Sequence, residues 1–288
     1  MGLFNSKRNK RFFGEEDYFN DFREECEKAL SVFEQLCENG FKENALAVFD
    51  FDFVSDKKEK LTALKDFFEP NYAYSFQEIA KKDSLYTLTG ETLKLPFDED
   101  GLLFWAIDLY TKGFEFDCIL NGYGSLPDSQ NLEFLDLAAA SSSDYFESGL
   151  ELLNKKNYSN AIIDFGTAIR IDPANKEAYQ ARGYCKDELK VPKLAREDYD
   201  KALEIDPNYV DALLIRATNK DDAGEHQDAL QDYDKVIKID PENNLAYYNR
   251  GNTRFSLGDK SGACNDWIKA KELGSEYAQE RLDKECKK

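Results

Sequence analysis

The chain has 288 residues, 42% hydrophobic and 33% charged, with 38 Lys and Arg against 57 Asp and Glu for a formal charge of −19. That length holds two domains with separate cores, and the composition excludes a disordered chain. So acidic a protein repels phosphate backbones, which argues against direct nucleic-acid binding and for a basic protein as partner.

Residues 1–16 read as a basic tail carrying Lys7, Arg8, Lys10 and Arg11. Its start, Met1-Gly2-Leu3-Phe4-Asn5-Ser6, fits the N-myristoylation pattern, but a short tail without membrane attachment is the reading adopted. Asp17 to Asn39 spaces Phe19, Phe22, Cys26, Leu30, Phe33 and Cys37 as one helical stripe, ended by Gly40. Ala45 to Val54 alternates, with Phe49, Phe51 and Phe53 facing away from Asp50 and Asp52, as in a half-buried strand. Ser55-Asp56 are expected to cap a helix carrying Leu61, Leu64, Phe67 and Phe68, with Pro70 stopping it. Tyr72 to Ile79 and Leu85 to Thr89 read as strands. Asp98 to Asp100 open a helix with Leu102, Trp105, Ala106 and Leu109 on one stripe, ended by Gly113. Phe114, Phe116, Cys118 and Leu120 then line a last strand. Helix followed by β-α-β-β-α-β is the split βαβ of a ferredoxin-like sandwich over residues 17–125. Residues 126–141 form a linker to the second half, with Leu132 to Ala140 as a candidate helix.

From Ser142 the chain repeats itself every 34 residues, over 142–175, 176–209, 210–243 and 244–277. The fourth position holds Tyr145, Tyr179, Leu213 and Tyr247; the eighth Gly149, Gly183, Ala217 and Gly251; the twentieth Ala161, Ala195, Ala229 and Ala263. Phe165, Tyr199, Tyr233 and Trp267 follow four residues later, and Ile-Asp-Pro closes three repeats at Pro173, Pro207 and Pro241. Small residues let two antiparallel helices approach, aromatics fill between them, and proline ends the second helix. The pattern resembles the tetratricopeptide repeat, which implies an all-α superhelix, here closed by a polar capping helix after Gly274. By analogy with that family, the concave groove is lined by Gln180, Tyr184, Asp187, Leu214, Thr218, Asp221, Tyr248, Asn252 and Phe255. Acids, amides and aromatics together fit a basic or amphipathic peptide. The family's chaperone-carboxylate clamp is absent, since Phe146, Leu150, Ala181, Asp211 and Ile215 stand at its places.

The first half also resembles the regulators of ribonuclease E activity, type B, through its element order and the stretch Leu120-Asn121-Gly122-Tyr123-Gly124-Ser125. Both glycines match the family's Asp-Gly-Trp-Gly-Thr turn, while its Asp is Asn121 here and its acidic tail is missing. The resemblance implies a bacterial, cytoplasmic protein that binds a ribonuclease and lowers its activity. The charge agrees: residues 1–140 carry −13 and residues 141–288 carry −6. Asp50, Asp52 and Asn121 to Gly124 are the candidate contacts with such a partner.

Enzymatic readings are weaker. Phe49-Asp50-Phe51-Asp52 resembles the opening of a haloacid-dehalogenase-type phosphatase, but the following turn is missing and residues 55–141 are too few for its parallel sheet. A lone histidine, His226, leaves no base for a Ser or Cys nucleophile and few zinc ligands, and it reads as a solvated turn residue. Cys26, Cys37, Cys118, Cys185, Cys264 and Cys286 form no CxxC pair and are expected to be reduced thiols. No cofactor or metal is expected. The sequence therefore reads as a non-enzymatic adaptor that joins a ribonuclease or other basic protein to a groove-bound peptide. An immunity protein against a toxin nuclease, a pure repeat scaffold and a carboxylate-dependent hydrolase are the alternatives.

Overall fold

The computed structural model describes residues 11–13, 15–124, 137 and 140–286. The tail up to Lys10 with its myristoylation-like motif, and most of the 126–141 linker with the candidate helix there, lie outside the described residues. The chain divides into two compact units, Met1–Ile171 and Asp172–Lys288, so the first helical repeat belongs with the sheet.

The first unit contains α1 (Glu15–Glu38), β1 (Leu46–Ala47), β2 (Asp50–Ser55), α2 (Lys58–Tyr72), β3 (Ser75–Phe76), β4 (Ala80–Lys82), β5 (Leu85–Glu91), β6 (Leu95–Pro96), α3 (Glu99–Glu115), β7 (Ile119–Gly124), α4 (Ser142–Asn154) and α5 (Tyr158–Ile171). The strands of its main sheet run β3-β5-β2-β7 with β4 also on β5, and every pairing is antiparallel. Phe51 and Phe53 on β2 meet Phe68 of α2, and Phe51 also meets Trp105 of α3, so both helices lie on one sheet face. That aromatic packing is the core of the unit. α3 is buried on every side from Gly101 to Tyr110, because α1 and the sheet cover part of it and α5 covers the rest.

Several local expectations change. The inward track of α1 is Ala29, Phe33 and Leu36, while Cys37 is exposed. Strand 45–54 breaks around Phe49, whose N–H donates to the Thr92 hydroxyl at 3.0 Å. Ser55 and Asp56 do not cap α2: Ser55 donates to the Asp117 carbonyl at 3.1 Å, and Asp56 pairs with Lys60. α2 runs past Pro70 and ends at Ala73 in the left-handed region (φ 55°), since Phe68 and Tyr72 anchor its last turn in the core. The extended stretch expected over 72–79 shrinks to β3. Gly113 does not end α3. A side chain there would collide with the Cys118 carbonyl and the Phe53 ring, so the glycine permits close approach, and Asp117 (φ 58°) makes the turn instead. Phe114 and Phe116 are therefore at the helix end, not in the strand.

The second unit contains α6 (Lys176–Glu188), α7 (Pro192–Ile205), α8 (Val210–Asp222), α9 (His226–Ile239), α10 (Asn244–Ser256), α11 (Lys260–Glu272) and α12 (Ala278–Glu285). At Gly183 and Gly251 an added Cβ would lie 2.6 Å from the Tyr199 and Trp267 rings, which is why the eighth position is small. Asp206 and Asp240, before their prolines, accept the N–H of Asn208 and Glu242 and so turn the chain into the next repeat. Cys264 and Cys286 are joined in a disulfide, against the expectation of six reduced thiols, because α12 folds back and brings their Cα atoms to 5.9 Å. Breaking this link across a separation of 22 residues is expected to cost about 3 kcal/mol by loop-closure entropy. A lower Tm in reductant for the wild type, and none for Cys286→Ser, checks it.

A ladder of ion pairs runs through the repeats. Arg182, Arg216 and Arg250 each grip an aspartate of their own second helix, Asp198, Asp232 and Asp266, through two bonds of 2.6–2.9 Å. Lys186, Lys220 and Arg254 add a second cation to each. In the first repeat both cations are replaced, by Ser148 and Leu152. Asp164 is left with the Ser148 hydroxyl at 2.6 Å, and burial pushes its carboxyl up to about 6. A carboxyl raised in the fold loses stability as pH rises from its unfolded value near 4 to about 6, by on the order of 2 kcal/mol. Ser148→Arg is expected to remove this slope and stabilise the first unit above pH 6, measurable by urea titration across pH 4–7.

Candidate functional site

The first helices of the three repeats in the second unit, α6, α8 and α10, carry the nine expected groove residues at the fifth, ninth and twelfth positions. Tyr184 and Thr218 are exposed and the others half-buried. The aromatic of each second helix sends its polar end to this face. Tyr199 donates to Asp187 at 2.7 Å, the Tyr233 and Thr218 hydroxyls lie 3.2 Å apart, and Trp267 donates to Asn252 at 3.2 Å. Asp187 also accepts from Asn219 at 2.8 Å, and burial holds its carboxyl above the usual carboxylate range. Asp221 lies 2.6 Å from His226 Nδ1, so the histidine is tied to this row and is not the solvated turn residue expected. Leu214 packs against the buried Leu213 and Tyr233 clusters.

This row of expected groove residues is thus less acidic in character than its sequence implies: its polar groups are braced by the second helices. Its aromatic component is larger. Tyr248 lies 5.8 Å from the ring of Tyr277, which is 62% exposed, and Phe255 packs on Trp267. Tyr277 and Asn219 escaped the sequence reading, since neither falls on the three groove positions. Tyr277 shares the last place of the period with Tyr209, and that recurrence was the available signal.

On the sheet, Asp50 is exposed and Asp52 half-buried, opposite the buried Phe49, Phe51 and Phe53. Asp50 stands directly across from Glu91 on β5 and Gly124 on β7. Asn121 donates to Asp52 at 2.8 Å. Asn121 to Gly124 form strand, not a turn, because β7 stays paired to its end. The β2–β7 register shifts between Asp52 and Phe53, leaving Asn121 as an extra residue. This bulge turns Tyr123 inward, edge-on to Trp105 at 5.6 Å. β2 is flanked by antiparallel strands on both sides, unlike the parallel sheet of the phosphatase reading. Among the described residues, no cluster of three His, Cys, Asp or Glu side chains is placed to hold a metal ion.

The tetratricopeptide repeat family profile matches residues 145–175 and 176–209, and a second TPR repeat profile matches 222–258. The C-terminal half carries tetratricopeptide repeats. Similar solved chains include PilF of Pseudomonas aeruginosa, 24% identical over 46% of this chain and 61% of that one, with a TM-score of 0.44. YrrB, described as a TPR protein with an unusual peptide-binding site, is 22% identical over 62% and 82%, with a TM-score of 0.46. MamA of Desulfovibrio magneticus is 20% identical over 46% and 75%, with a TM-score of 0.43. The match spans about three fifths of PilF. Comparison with curated proteins returns no match. Among the described residues, no helix is long and apolar enough to cross a membrane.

Proposed function

We propose that the protein is a non-enzymatic adaptor whose repeats hold a peptide while its sheet domain binds and restrains a basic protein of the ribonuclease class. The observation that carries the first half is the braced row on α6, α8 and α10. Internal bonds to Asp187, Thr218 and Asn252 fix the helices and leave Tyr184, Tyr248 and Tyr277 as rigid aromatic contacts for an amphipathic peptide. For the second half, the reading of a ferredoxin-like sandwich, and with it the resemblance to type B regulators of ribonuclease E activity, draws support from the antiparallel order β3-β5-β2-β7 with helices on one face. The sheet face away from α2 and α3 sets Asp50 across from Glu91, a like-charge pair that a basic partner would relieve. Such a face competes for Arg and Lys segments that otherwise hold RNA, and charge complementarity speeds the encounter. A cytoplasmic setting belongs to this reading. The Cys264–Cys286 disulfide is uncommon in so reducing a setting, where Ala278 and Leu282 would hold α12 against α11 once the bond is reduced.

The groove is tested by Tyr184→Ala combined with Tyr248→Ala in the full chain. Loss of two partly exposed aromatic contacts is expected to weaken a captured peptide at least 30-fold, roughly 2 kcal/mol, while leaving binding to the basic partner intact. Unchanged peptide affinity by calorimetry contradicts the assignment.

A further inference from the structure

The repeats end on a helix that cannot hold itself in place. α12 has eight residues and no side-chain cap at its N-terminus. An isolated helix needs about 12–15 residues to be stable in water, so α12 is ordered by what it touches. Its inner stripe is Ala278, Leu282 and Cys286, spaced every four residues against the cluster around Trp267. Ala278 is fully buried, and Leu282 and Cys286 are half-buried. The last of these three contacts is covalent, the Cys264–Cys286 disulfide to α11. A groove residue stands directly before the helix. Tyr277 is its N-cap, with its ring 5.8 Å from that of Tyr248 and 62% of its surface exposed. The turn before Tyr277 is fixed separately, since the Gly274 and Ser275 N–H groups donate to the Lys271 and Ala270 carbonyls at 3.0 and 2.9 Å. Tyr277 therefore keeps its place beside Tyr248 only while α12 is docked.

We infer that the Cys264–Cys286 pair is a redox switch on peptide affinity: the closed bond holds Tyr277 in the groove wall, and opening it lets Tyr277 leave. The inference rests on the proposed groove and names its regulation. Both cysteines are half-buried, which leaves them within reach of a small thiol or disulfide. The bond closes by exchange with a low-molecular-weight disulfide. One cysteine thiolate attacks it, releases one thiol and forms a mixed disulfide; the second cysteine thiolate then displaces the other thiol. Two electrons pass from the cysteines to the small disulfide, and the two protons end on the two thiols released. With the bond open, Ala278 and Leu282 alone remain of the stripe, and α12 exchanges between docked and undocked. If Tyr277 is then docked about one fifth of the time, affinity falls about fivefold. Linkage makes the effect reciprocal, so a bound peptide favours the closed bond by the same factor. In a reducing setting the groove rests in its weaker state, and oxidation tightens it.

The test uses the full chain and acetyl-Lys-Leu-Tyr-Lys-Leu-Tyr-amide, an amphipathic basic probe, titrated by calorimetry in oxidised and in reduced glutathione. The oxidised chain is expected to bind it about fivefold more tightly than the reduced one. Cys286→Ser should bind as the reduced chain does in both buffers. Tyr277→Ala should bring the oxidised chain to that level and abolish the redox dependence, which a merely stabilising disulfide would not require. In hydrogen exchange, α12 amides should lose protection on reduction while those of α10 and α11 keep theirs. With saturating probe, the ratio of squared thiol to disulfide glutathione at half-oxidation should rise about fivefold. Redox dependence that survives Tyr277→Ala, or undiminished protection of α12 on reduction, overturns the switch. Equal binding by both forms, lost in Tyr184→Ala with Tyr248→Ala, overturns the switch and keeps the groove. Binding to neither form, with α12 released on reduction, overturns the groove reading and keeps the release of α12.

Discussion

Asp108→Ala is expected to destabilise the first unit by about 3 kcal/mol, lowering the helical repeat and the sheet together. Asp108 lies on α3 with 1% of its surface exposed and accepts from the Tyr72 hydroxyl and the Ser159 hydroxyl, both at 2.8 Å. Ser159 belongs to α5, so this one carboxyl ties the first repeat to α2 and α3 of the sheet domain. Its removal takes the acceptor from the Ser159 hydroxyl, leaves Tyr72 with only the longer bond to the Lys156 carbonyl at 3.4 Å and opens a cavity, and each effect adds to the loss. Asp108→Asn keeps an acceptor and is expected to cost less than half as much. Burial pushes the Asp108 carboxyl above the ordinary range, against the Lys112 charge and the two hydroxyls. Its contribution therefore weakens as pH rises from about 4, in the same direction as that of Asp164. Hydrogen exchange reads the coupling: amides of α5 and of β2 should lose protection in parallel. Loss in α5 alone would mean that the repeat folds independently of the sheet.

Arg216→Ala carries the second large effect, about 3 kcal/mol in the second unit. Its guanidinium bridges Asp232 within its repeat, at 2.7–2.9 Å, to Asp200 in the preceding one, at 2.6 Å. Asp232 is 5% exposed, and without Arg216 only Lys220 would remain to balance it. Because each repeat is stabilised through its neighbours, the loss should also reduce cooperativity, seen as a shallower urea transition. Arg216→Lys should recover less than half, since an ammonium cannot fork to two carboxylates.

The repeats were legible because their period fixes several residues at once: the small eighth and twentieth positions and the aromatic twenty-fourth interlock, and no other fold asks for that combination. The partnering within them was not, since the Arg216 and Asp232 pairing spans 16 residues and is visible only once two helices face each other. In the sheet domain the alternation of Phe49, Phe51 and Phe53 against Asp50 and Asp52 gave the strand and its faces. Element ends failed where tertiary contacts overrode local signals, as at Pro70, held inside a helix by Phe68 and Tyr72, and at Gly113, chosen for Phe53. Tyr123 was misplaced because alternation assumes a regular strand, and one extra residue at Asn121 reverses the faces beyond it. Asp108 was invisible because an acid among 57 acids has no local mark, and only burial distinguishes it.

The central claim, one chain holding a basic partner and a peptide at separate sites, is tested most directly by capture on the full-length protein with a salt step and mass spectrometry. The account predicts that a ribonuclease or another basic nucleic-acid-binding protein leaves as salt rises, since its contacts are screened within a Debye length of about 8 Å, while a second partner stays until Tyr184 and Tyr248 are replaced. Capture of partners through the groove alone, with nothing basic released by salt, would contradict it and leave the protein a scaffold defined by its repeats.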